Sequence, residues 1–455
     1  MAYQTINPYN NKVLKKYENA SDGELEATLA TGHALYQQWR KEPATSRQAT
    51  LHKVADLLRE NRHTLAVTVT QEMGKLIGES EAEVDLCADI ADYFADHADE
   101  FLQPTPLTTS IGDAHYEKQS LGVLVMVEPW NFPYYQIMRV FAPNFMIGNP
   151  LLLKHASNTP SSAEAFVDIV KQAGAPTGSL TNMFISYDQV AKAIADPRVA
   201  GVALTGSERG GASVAKEAGA NLKKSTLELG GNDPFIVLAD ADMAKVKQWA
   251  PQARLSNAGQ ICAASKRFIV MPDKYQELLA ILKEAFENVK MGDPLDPETT
   301  LAPLTSMHAK ETLQKRVDAA VAAGAHVYYG NEPVDLPGAF FQPTILTDVT
   351  KDNPSYNQEL FGPVATVYVV QSEAEAIALA NDSSYGLGSA IFSENVAHAE
   401  EVASQLETGM TFINRAWATL PELPFGGVKN SGYGREMYRL GFDAFVNEHL
   451  VVSAN

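Results

Sequence analysis

The sequence is poor in cysteine and lacks any hydrophobic run of membrane-spanning length. Only Cys87 and Cys262 occur in 455 residues, 175 positions apart, which excludes a disulfide framework and the paired cysteines of a zinc site. The ten histidines are scattered and form no HExxH pair. The apolar runs, such as residues 121–127, fall far short of the roughly 20 residues that a spanning helix needs. We therefore expect no metal site and no membrane partner.

Basic residues are also scarce relative to acidic ones. The chain has 36 Lys and Arg against 55 Asp and Glu, a net charge of −19. Nucleic acids and anionic membranes bind to basic surfaces, so this balance argues against both partners, although one local cation would suffice for an anionic substrate. The start, MAYQTINPYNNKVLKKY, has no apolar core of signal-peptide length. The expectation is a soluble cytoplasmic protein.

The pattern along the chain predicts an α/β fold. The first 100 residues predict helices, and SDGE (21–24) predicts a capping box. Later, short apolar runs alternate with helical segments, which predicts parallel sheets covered by helices on both faces. The runs of the first series are residues 121–127, 150–155, 180–185 and 199–206, and those of the second are residues 233–238, 267–271, 364–370 and 410–414. We therefore predict two α/β domains with a boundary near 227–232.

Polar and cationic residues follow several of the predicted strands, where open parallel sheets bind ligands. The residues in these positions are Trp130, Asn131, Lys154, Thr205, Gly206 and Ser207. The segment GSERGG (206–211) opens a helix, and backbone N–H groups there can bind a phosphate. It is not GxGxxG, so a plain turn explains it equally well, and Lys154 could simply be a solvated strand end.

Three further side chains allow either a structural or a chemical interpretation. Cys262, in NAGQICAASKR, follows a turn, but a lone cysteine is more often a small buried hydrophobe than a nucleophile. Glu228, in LELGGND, could face solvent, or it could serve as a base if it shares a cleft with Cys262. Asn131 could satisfy the backbone of a turn or stabilise an oxyanion.

Five segments, WNFP, LELGGND, NAGQIC, QELFGP and PFGGVKNSGYGRE, occur in this order and together resemble the aldehyde dehydrogenase superfamily over nearly the whole chain. Within it, the sequence is most similar to bacterial succinate-semialdehyde dehydrogenases. The resemblance implies two doubly wound, Rossmann-like domains and a small β oligomerisation element, in a homodimer or homotetramer. The implied division is 1–102 and 125–226 for the dinucleotide-binding domain, 227–437 for the catalytic domain, and 103–124 with 438–455 for the oligomerisation element.

The resemblance also implies roles for individual residues. Cys262 attacks an aldehyde, Asn131 and the backbone N–H of Cys262 hold the oxyanion, and Glu228 activates the water that hydrolyses the thioester. Ser157 stands where many NAD-using relatives carry Glu, which removes repulsion toward a 2′-phosphate, so NADP is expected to be preferred and NAD accepted. Phe361 could also simply pack. The implied cofactor contacts are Trp130, Lys154, Ser157, Thr205, Gly206, Ser207, Glu359 and Phe361.

The expected substrate is succinate semialdehyde, whose carboxylate would need an arginine or a cluster of hydroxyl groups. Arg139 lies about two helical turns beyond the WNFP segment, although a salt bridge would explain it equally well. Ser256 occupies a region where such relatives often carry a second arginine, and Arg415 could compensate. Tyr134, Tyr135 and Trp417 are expected as apolar walls. A broad-specificity aldehyde dehydrogenase, a coenzyme A-acylating enzyme and a catalytically silent protein on this scaffold stay open.

Overall fold

The structure, a computed structural model, describes residues 3–454. Its strands, numbered in chain order, are β1 (Tyr3–Ile6), β2 (Val13–Tyr17), β3 (Thr105–Leu107), β4 (Gly112–Ser120), β5 (Val123–Val127), β6 (Leu151–Lys154), β7 (Leu180–Asn182), β8 (Val199–Thr205), β9 (Lys224–Glu228), β10 (Asp233–Val237), β11 (Ser265–Val270), β12 (His326–Tyr329), β13 (Thr344–Thr347), β14 (Val364–Val369), β15 (Tyr385–Gly386), β16 (Ala390–Phe392), β17 (Phe412–Ile413), β18 (Val428–Lys429), β19 (Gly432–Tyr433) and β20 (Val446–Ala454).

The helices cover the sheets and connect their strands. They are α1 (Asp22–Trp39), α2 (Gln48–Glu60), α3 (Arg62–Met73), α4 (Ile77–Phe101), α5 (Pro133–Ile147), α6 (Pro160–Gln172), α7 (Tyr187–Ala195), α8 (Glu208–Ala220), α9 (Met243–Leu255), α10 (Tyr275–Glu287), α11 (Met307–Ala322), α12 (Glu373–Asn381), α13 (Val396–Ala403) and α14 (Leu440–Asp443).

The first alternating series forms a six-stranded sheet with the strand order β19-β9-β8-β5-β6-β7. All strands except β19 run parallel to their neighbours. The chain passes from β5 to β6 and β7 on one side, and then returns to β8 on the other side of β5. The carboxyl ends of β5 and β8 therefore flank the crevice in which open α/β sheets bind ligands.

Continuous apolar strands fit the centre of this sheet because helices cover both of its faces. Val125 packs in one apolar cluster with residues of α1 and α7, whereas Leu124 packs in another with residues of α4, α5 and α6. Both side chains are fully buried, and each such burial contributes about 1.5–3 kcal/mol. The sheet is therefore a rigid support for the loops at its carboxyl edge.

The second series forms a seven-stranded sheet with the order β12-β13-β14-β11-β10-β16-β17, in which only β12 is antiparallel to its neighbour. Phe235, Phe268 and Phe392 stack across three adjacent strands, with ring centroids 4.4 and 5.0 Å apart. A third, smaller sheet joins β3, β4 and β20, and β20 pairs with β4 along its whole length. These sheets confirm the predicted α/β class with two doubly wound domains and a small β element.

The N-terminal segment agrees with the sequence pattern in one feature and departs from it in another. The predicted capping box is confirmed, because the Ser21 hydroxyl accepts from the backbone of Glu24 and the Glu24 carboxylate accepts from the backbone of Ser21. The expectation of helices alone near the start was wrong. β1 and β2 form a hairpin there, and the largely exposed β2 (VLKKY) gives no strong apolar signal. β9 crosses the predicted domain boundary at 226–227, and that division stays a prediction.

No helix among residues 3–454 is both long and apolar enough to cross a membrane. Within the same range, no group of three or more His, Cys, Asp and Glu side chains could hold a metal ion.

Candidate active site

Cys262 lies in the connection between α9 and β11, which contains a strained turn. Asn257 and Ala258 have φ values of 49° and 51°, a left-handed conformation that residues with a Cβ rarely adopt. Such residues cost on the order of 1–3 kcal/mol each, so the surroundings must hold the turn in place. Arg254 does so in part, because its guanidinium donates to the carbonyls of Gly259 (2.5 Å) and Ser265 (2.9 Å).

A largely apolar cavity of about 240 Å³ opens beside Cys262, whose side chain is partly exposed. The cavity lies between the start of α4, the helix α5, the loop that carries Cys262 and the segment around β17. Its lining residues include Lys75, Glu79, Glu83, Leu86, Phe132, Tyr135, Gln136, Arg139, Ser256, Asn257, Ile261, Cys262, Met410, Phe412, Trp417, Thr419 and Phe425. The thiol can therefore meet a small, mostly apolar molecule.

Asn131 is tied to the loop that carries Cys262, although it does not itself line this cavity. Its side-chain Nδ2 donates to the carbonyl of Gln260 at 3.1 Å, two residues before the cysteine. Its own carbonyl accepts from Nδ2 of Asn257 at 3.0 Å. The side-chain amide of Asn131, which was predicted to hold an oxyanion, is thus fixed beside the loop that carries Cys262.

Glu228, at the end of β9, belongs to a buried cluster of charged side chains around Arg139. The guanidinium forms a 2.5 Å ion pair with Glu436 and donates to the hydroxyl of Thr205 at 2.9 Å. Both carboxylate oxygens of Glu228 lack a hydrogen-bond partner among the described residues, and the same is true of Glu128. Burial, and then repulsion from Glu436, raise the pKa of Glu228 to about 8. The cluster therefore keeps a proton that an exposed glutamate would lose.

The two cysteines lie in different surroundings. Burial raises the pKa of Cys262 to about 12, the charges of Lys266 and Arg139 act in the opposite direction, and Glu359 adds to the increase. The thiol is therefore protonated at neutral pH in this state. Cys87 is completely buried within α4, where burial also raises its pKa, and it packs among apolar side chains.

A second, larger cleft of about 750 Å³ lies at the carboxyl ends of β5, β6 and β8. The predicted cofactor residues that line it are Trp130, Lys154, Ser157, Thr205, Gly206, Ser207 and Phe361. The rings of Trp130 and Phe361 meet edge to face, with centroids 5.7 Å apart. Glu359, by contrast, does not line this cleft, because it accepts from the backbone N–H of Gly231 (3.1 Å) and pairs with Lys266 (3.2 Å).

Lys154 shows that the larger cleft suits an anionic ligand. Its residue is only 3% exposed, and no carboxylate among the described residues forms an ion pair with it. Burial lowers the pKa of its ammonium to about 8, and the rings of Tyr3 and Tyr187 lie 5.7 and 5.1 Å from Nζ. A buried cation without a counterion is costly, and a phosphorylated ribose would compensate it. The cleft therefore fits a dinucleotide.

The structure places two of the predicted substrate residues at the smaller cavity. Trp417 lines it directly. Arg139 also contacts it but is only 1% exposed, because its guanidinium is enclosed by the rings of Tyr135 and Phe425, with centroid distances of 5.1 and 4.8 Å. The salt bridge that the sequence left as the alternative for Arg139 is present, to Glu436.

The structure does not bring the other two, Tyr134 and Arg415, into the cavity. Tyr134 is fully buried and donates its hydroxyl to the carbonyl of Leu65 at 3.1 Å. Successive residues of a helix point about 100° apart, so its neighbour Tyr135 lines the cavity instead. Arg415 is exposed, with its guanidinium 4.9 Å from the ring centroid of Trp249.

Several residues that shape the site were missed by the sequence reasoning. Lys266 follows the NAGQIC segment by four residues, and Glu436 ends the segment PFGGVKNSGYGRE. Nothing in their spacing indicated that Lys266 is buried next to Cys262 or Glu436 next to Glu228. Arg209, which lines the larger cleft, lies in the quoted segment GSERGG. Their contacts depend on tertiary packing, which spacing along the chain does not reveal.

A crevice where the strand order reverses is typical of nucleotide-binding α/β enzymes, and a cysteine beside a separate small cavity fits a dehydrogenase that uses a nucleotide. The chain belongs to the aldehyde dehydrogenase family, which it matches over residues 1–451.

Individual relatives are similar over their whole length. Succinate-semialdehyde dehydrogenase [NADP(+)] of Deinococcus radiodurans is 45% identical, with 99% of this chain and 94% of that protein covered. A probable enzyme of the same name from Synechocystis is 41% identical, with 99% of each covered. Among solved structures, succinic semialdehyde dehydrogenase of Streptococcus pyogenes in complex with NADP+ has a TM-score of 0.99 and 58% identity, with both chains covered completely.

Proposed function

We propose that this protein oxidises succinate semialdehyde to succinate, with NADP as the electron acceptor and Cys262 as the nucleophile. The observation that carries the proposal is that the Cys262 thiol opens into a small cavity, while a separate cleft holds the buried ammonium of Lys154, which pairs with no carboxylate of residues 3–454. The names and the bound NADP+ of the similar proteins support the choice of substrate and cofactor.

Cys262 would form the first covalent bond. Its Sγ, once deprotonated, attacks the aldehyde carbon and forms a thiohemiacetal, whose oxygen takes the negative charge. The side-chain amide of Asn131 and the backbone N–H of Cys262 would donate hydrogen bonds to that oxygen. Removing one such donor typically costs about 3 kcal/mol of transition-state stabilisation. The hydrogen bond from Asn131 to Gln260 keeps the amide beside the loop without a rearrangement.

NADP, when bound, supplies the hydride acceptor that this oxidation requires. Lys154 would meet the adenosine ribose, and Ser157 and Arg209, which line the same cleft, would donate to the 2′-phosphate. Ser207 caps α8 by accepting from the backbone of Gly210 at 3.3 Å, which leaves the positive end of the helix facing the phosphate path. A weaker use of NAD is consistent with a site that lacks a repelling carboxylate at 157.

Glu228 would act as the base that activates water for hydrolysis of the Cys262 thioester. Its position behind the cavity, against Gly426 and next to Arg139, means that the carboxylate must turn toward the sulfur to reach this water. The raised pKa suits a base that takes a proton near neutral pH. A water-activating carboxylate at this position also favours hydrolysis over transfer to coenzyme A.

The carboxylate of the substrate would lie at the end of the cavity away from the sulfur. Arg139, a cation that lines the cavity, would attract it. The hydroxyl groups of Ser256 and Thr419, which also line the cavity, would donate hydrogen bonds to it. Trp417 and Tyr135 would enclose the two methylene groups.

The test compares NADPH formation from succinate semialdehyde with that from butanal, which has the same chain length but no carboxylate. We expect kcat/KM to be at least tenfold higher for succinate semialdehyde, and C262A to lose activity with both. Equal values would favour a broad-specificity aldehyde dehydrogenase. Activity that survives in C262A would refute the nucleophile, and a tenfold preference for NAD would refute the cofactor assignment.

We further propose that the enzyme works in the cytoplasm as a homodimer or homotetramer. Both cysteines are free thiols, as is usual in a reducing compartment. β20 forms the edge of its sheet and exposes Leu450 and Val452, so a second copy of the chain could cover it. Sedimentation velocity would test the assembly, and a monomer at micromolar concentration would refute it.

A further inference from the structure

Lys266 lies against the loop that carries Cys262. It is the second residue of β11, four positions after Cys262, and only 2% of the residue is exposed. Its Nζ lies 2.8 Å from the carbonyl oxygen of Ile261, 2.5 Å from that of Cys262 and 3.2 Å from Oε1 of Glu359. An ammonium has three N–H donors, so each donor has one acceptor.

The contacts of Lys266 connect the loop that carries Cys262 with Glu359, a residue about 100 positions further along the chain. Glu359 also accepts from the backbone N–H of Gly231, in the segment that joins β9 to β10. Gly231 lies so close to the loop that a Cβ on it would be 2.4 Å from the carbonyl oxygen of Cys262. The loop and Glu359 therefore share one cation, and Glu359 in turn links that cation to the Gly231 segment.

The same cation also acts on the sulfur. Among the charges near Cys262, Lys266 does most to lower the pKa of the thiol, ahead of Arg139, while Glu359 and Glu228 raise it. Lys266 itself faces Glu359, Asp233 on β10 and Arg254 on α9. Arg254 anchors the same loop through the carbonyls of Gly259 and Ser265 but is not among the groups that perturb the thiol. Anchoring and electrostatic activation are therefore separable.

We propose that Lys266 is a positioning residue that both favours the Cys262 thiolate and holds Glu359, so that the nucleophile and this carboxylate depend on one buried ammonium. This inference rests on the proposed role of Cys262 and on the cofactor contact that the family resemblance implies for Glu359. It predicts coupled effects on the thiol and on cofactor binding, which simple anchoring of the loop would not produce.

The experiment measures the rate at which iodoacetamide alkylates Cys262 in the full-length enzyme at pH 8.5, with C87A as the background. This pH is well below the pKa of the thiol, so the rate is proportional to the thiolate fraction. In K266M we expect the alkylation rate to fall about tenfold or more, because a neighbouring opposite charge typically shifts a pKa by 1–3 units. We also expect the KM for NADP to rise several-fold and kcat at pH 7.5 to fall at least tenfold. K266R, which keeps the charge, should keep the alkylation rate while losing part of kcat, since a guanidinium cannot reproduce the three contacts.

Two further variants keep the proposal testable if K266M does not fold. E359Q removes a carboxylate that opposes the thiolate, so its alkylation rate at pH 8.5 should rise. R254K weakens the anchoring of the same loop, so its melting temperature should fall while its alkylation rate stays near the wild-type value.

A folded K266M with an unchanged alkylation rate and an unchanged KM for NADP would overturn the inference. So would an E359Q variant that is alkylated more slowly than the wild type, or an R254K variant whose alkylation rate falls as far as that of K266M. The outcome is distinguishable from failure of the proposed function. Activity retained in C262A refutes that function, whereas loss of activity in C262A with a normal alkylation rate in K266M refutes only the role of Lys266.

Discussion

The E436Q substitution tests whether the buried cluster around Arg139 sets the pH at which Glu228 becomes active. A carboxylate acts as a base only when it is ionised, so a pKa raised to about 8 means that activity limited by Glu228 increases with pH through that value. At pH 7 only about one-tenth of the Glu228 side chains would be ionised. Glu436 contributes to this by repulsion and by neutralising Arg139.

Replacing Glu436 by Gln removes the like charge and leaves the Arg139 charge free to attract Glu228, so both effects lower the pKa. A decrease of about one unit would make about half of the Glu228 side chains ionised at pH 7. The rate of thioester hydrolysis at pH 7, relative to its plateau at high pH, should therefore rise about fivefold. Breaking the buried ion pair costs about 3–5 kcal/mol, so the melting temperature should fall at the same time.

The assay is steady-state NADPH formation between pH 5.5 and 9.5, with rapid-mixing measurements to identify the range in which hydrolysis follows a burst. E72Q is the matched control, because Glu72 is also a buried carboxylate but lines neither cavity and is not among the groups that perturb Glu228, so its hydrolysis midpoint should stay in place. A folded E436Q enzyme whose midpoint is unchanged or higher would refute the reasoning. It would mean that Glu228 titrates independently of the cluster.

Three other predictions follow from the same structure. S157E should lower kcat/KM for NADP at least tenfold, because the new carboxylate repels the 2′-phosphate, whereas an equal loss with NAD would show a general defect. R139M should raise the KM for succinate semialdehyde more than the KM for butanal, and equal changes would restrict Arg139 to its ion pair with Glu436. E228Q should raise the melting temperature at pH 8.5 but not at pH 5, because the raised pKa of Glu228 makes the native state lose stability as the pH rises from about 4.5, where the unfolded side chain ionises, to about 8, so a gain at pH 5 alone would contradict this sign.

The order of motifs and the alternation of apolar runs were sufficient to predict the two sheets. The run at 121–127 became β5 and the run at 199–206 became β8, because strands covered on both faces need continuous apolar residues. Residues that follow such strands, among them Trp130 and Thr205, were expected at the sheet edge, and both line the larger cleft. These predictions depend only on local chain geometry.

The substrate cavity was predicted less well, because it depends on which face of a helix points inward. Tyr134 and Tyr135 are both aromatic neighbours in α5, and only the packing of α5 against α3 and α4 assigns Tyr135 to the cavity. Arg415 is close in sequence to Trp417, but it points to the surface. Spacing alone cannot distinguish such neighbours.

The sequence by itself determined the α/β class, the family and the candidate reactive side chains, since these depend on hydrophobic periodicity and on motifs that can be read along the chain. Tertiary structure alone decided how those side chains are tuned. Arg139 is enclosed and paired with Glu436, Glu228 retains its proton to about pH 8, and Lys266 lies under Cys262. Burial and the distance between charges set these properties, and both arise only when segments far apart in the chain are packed together.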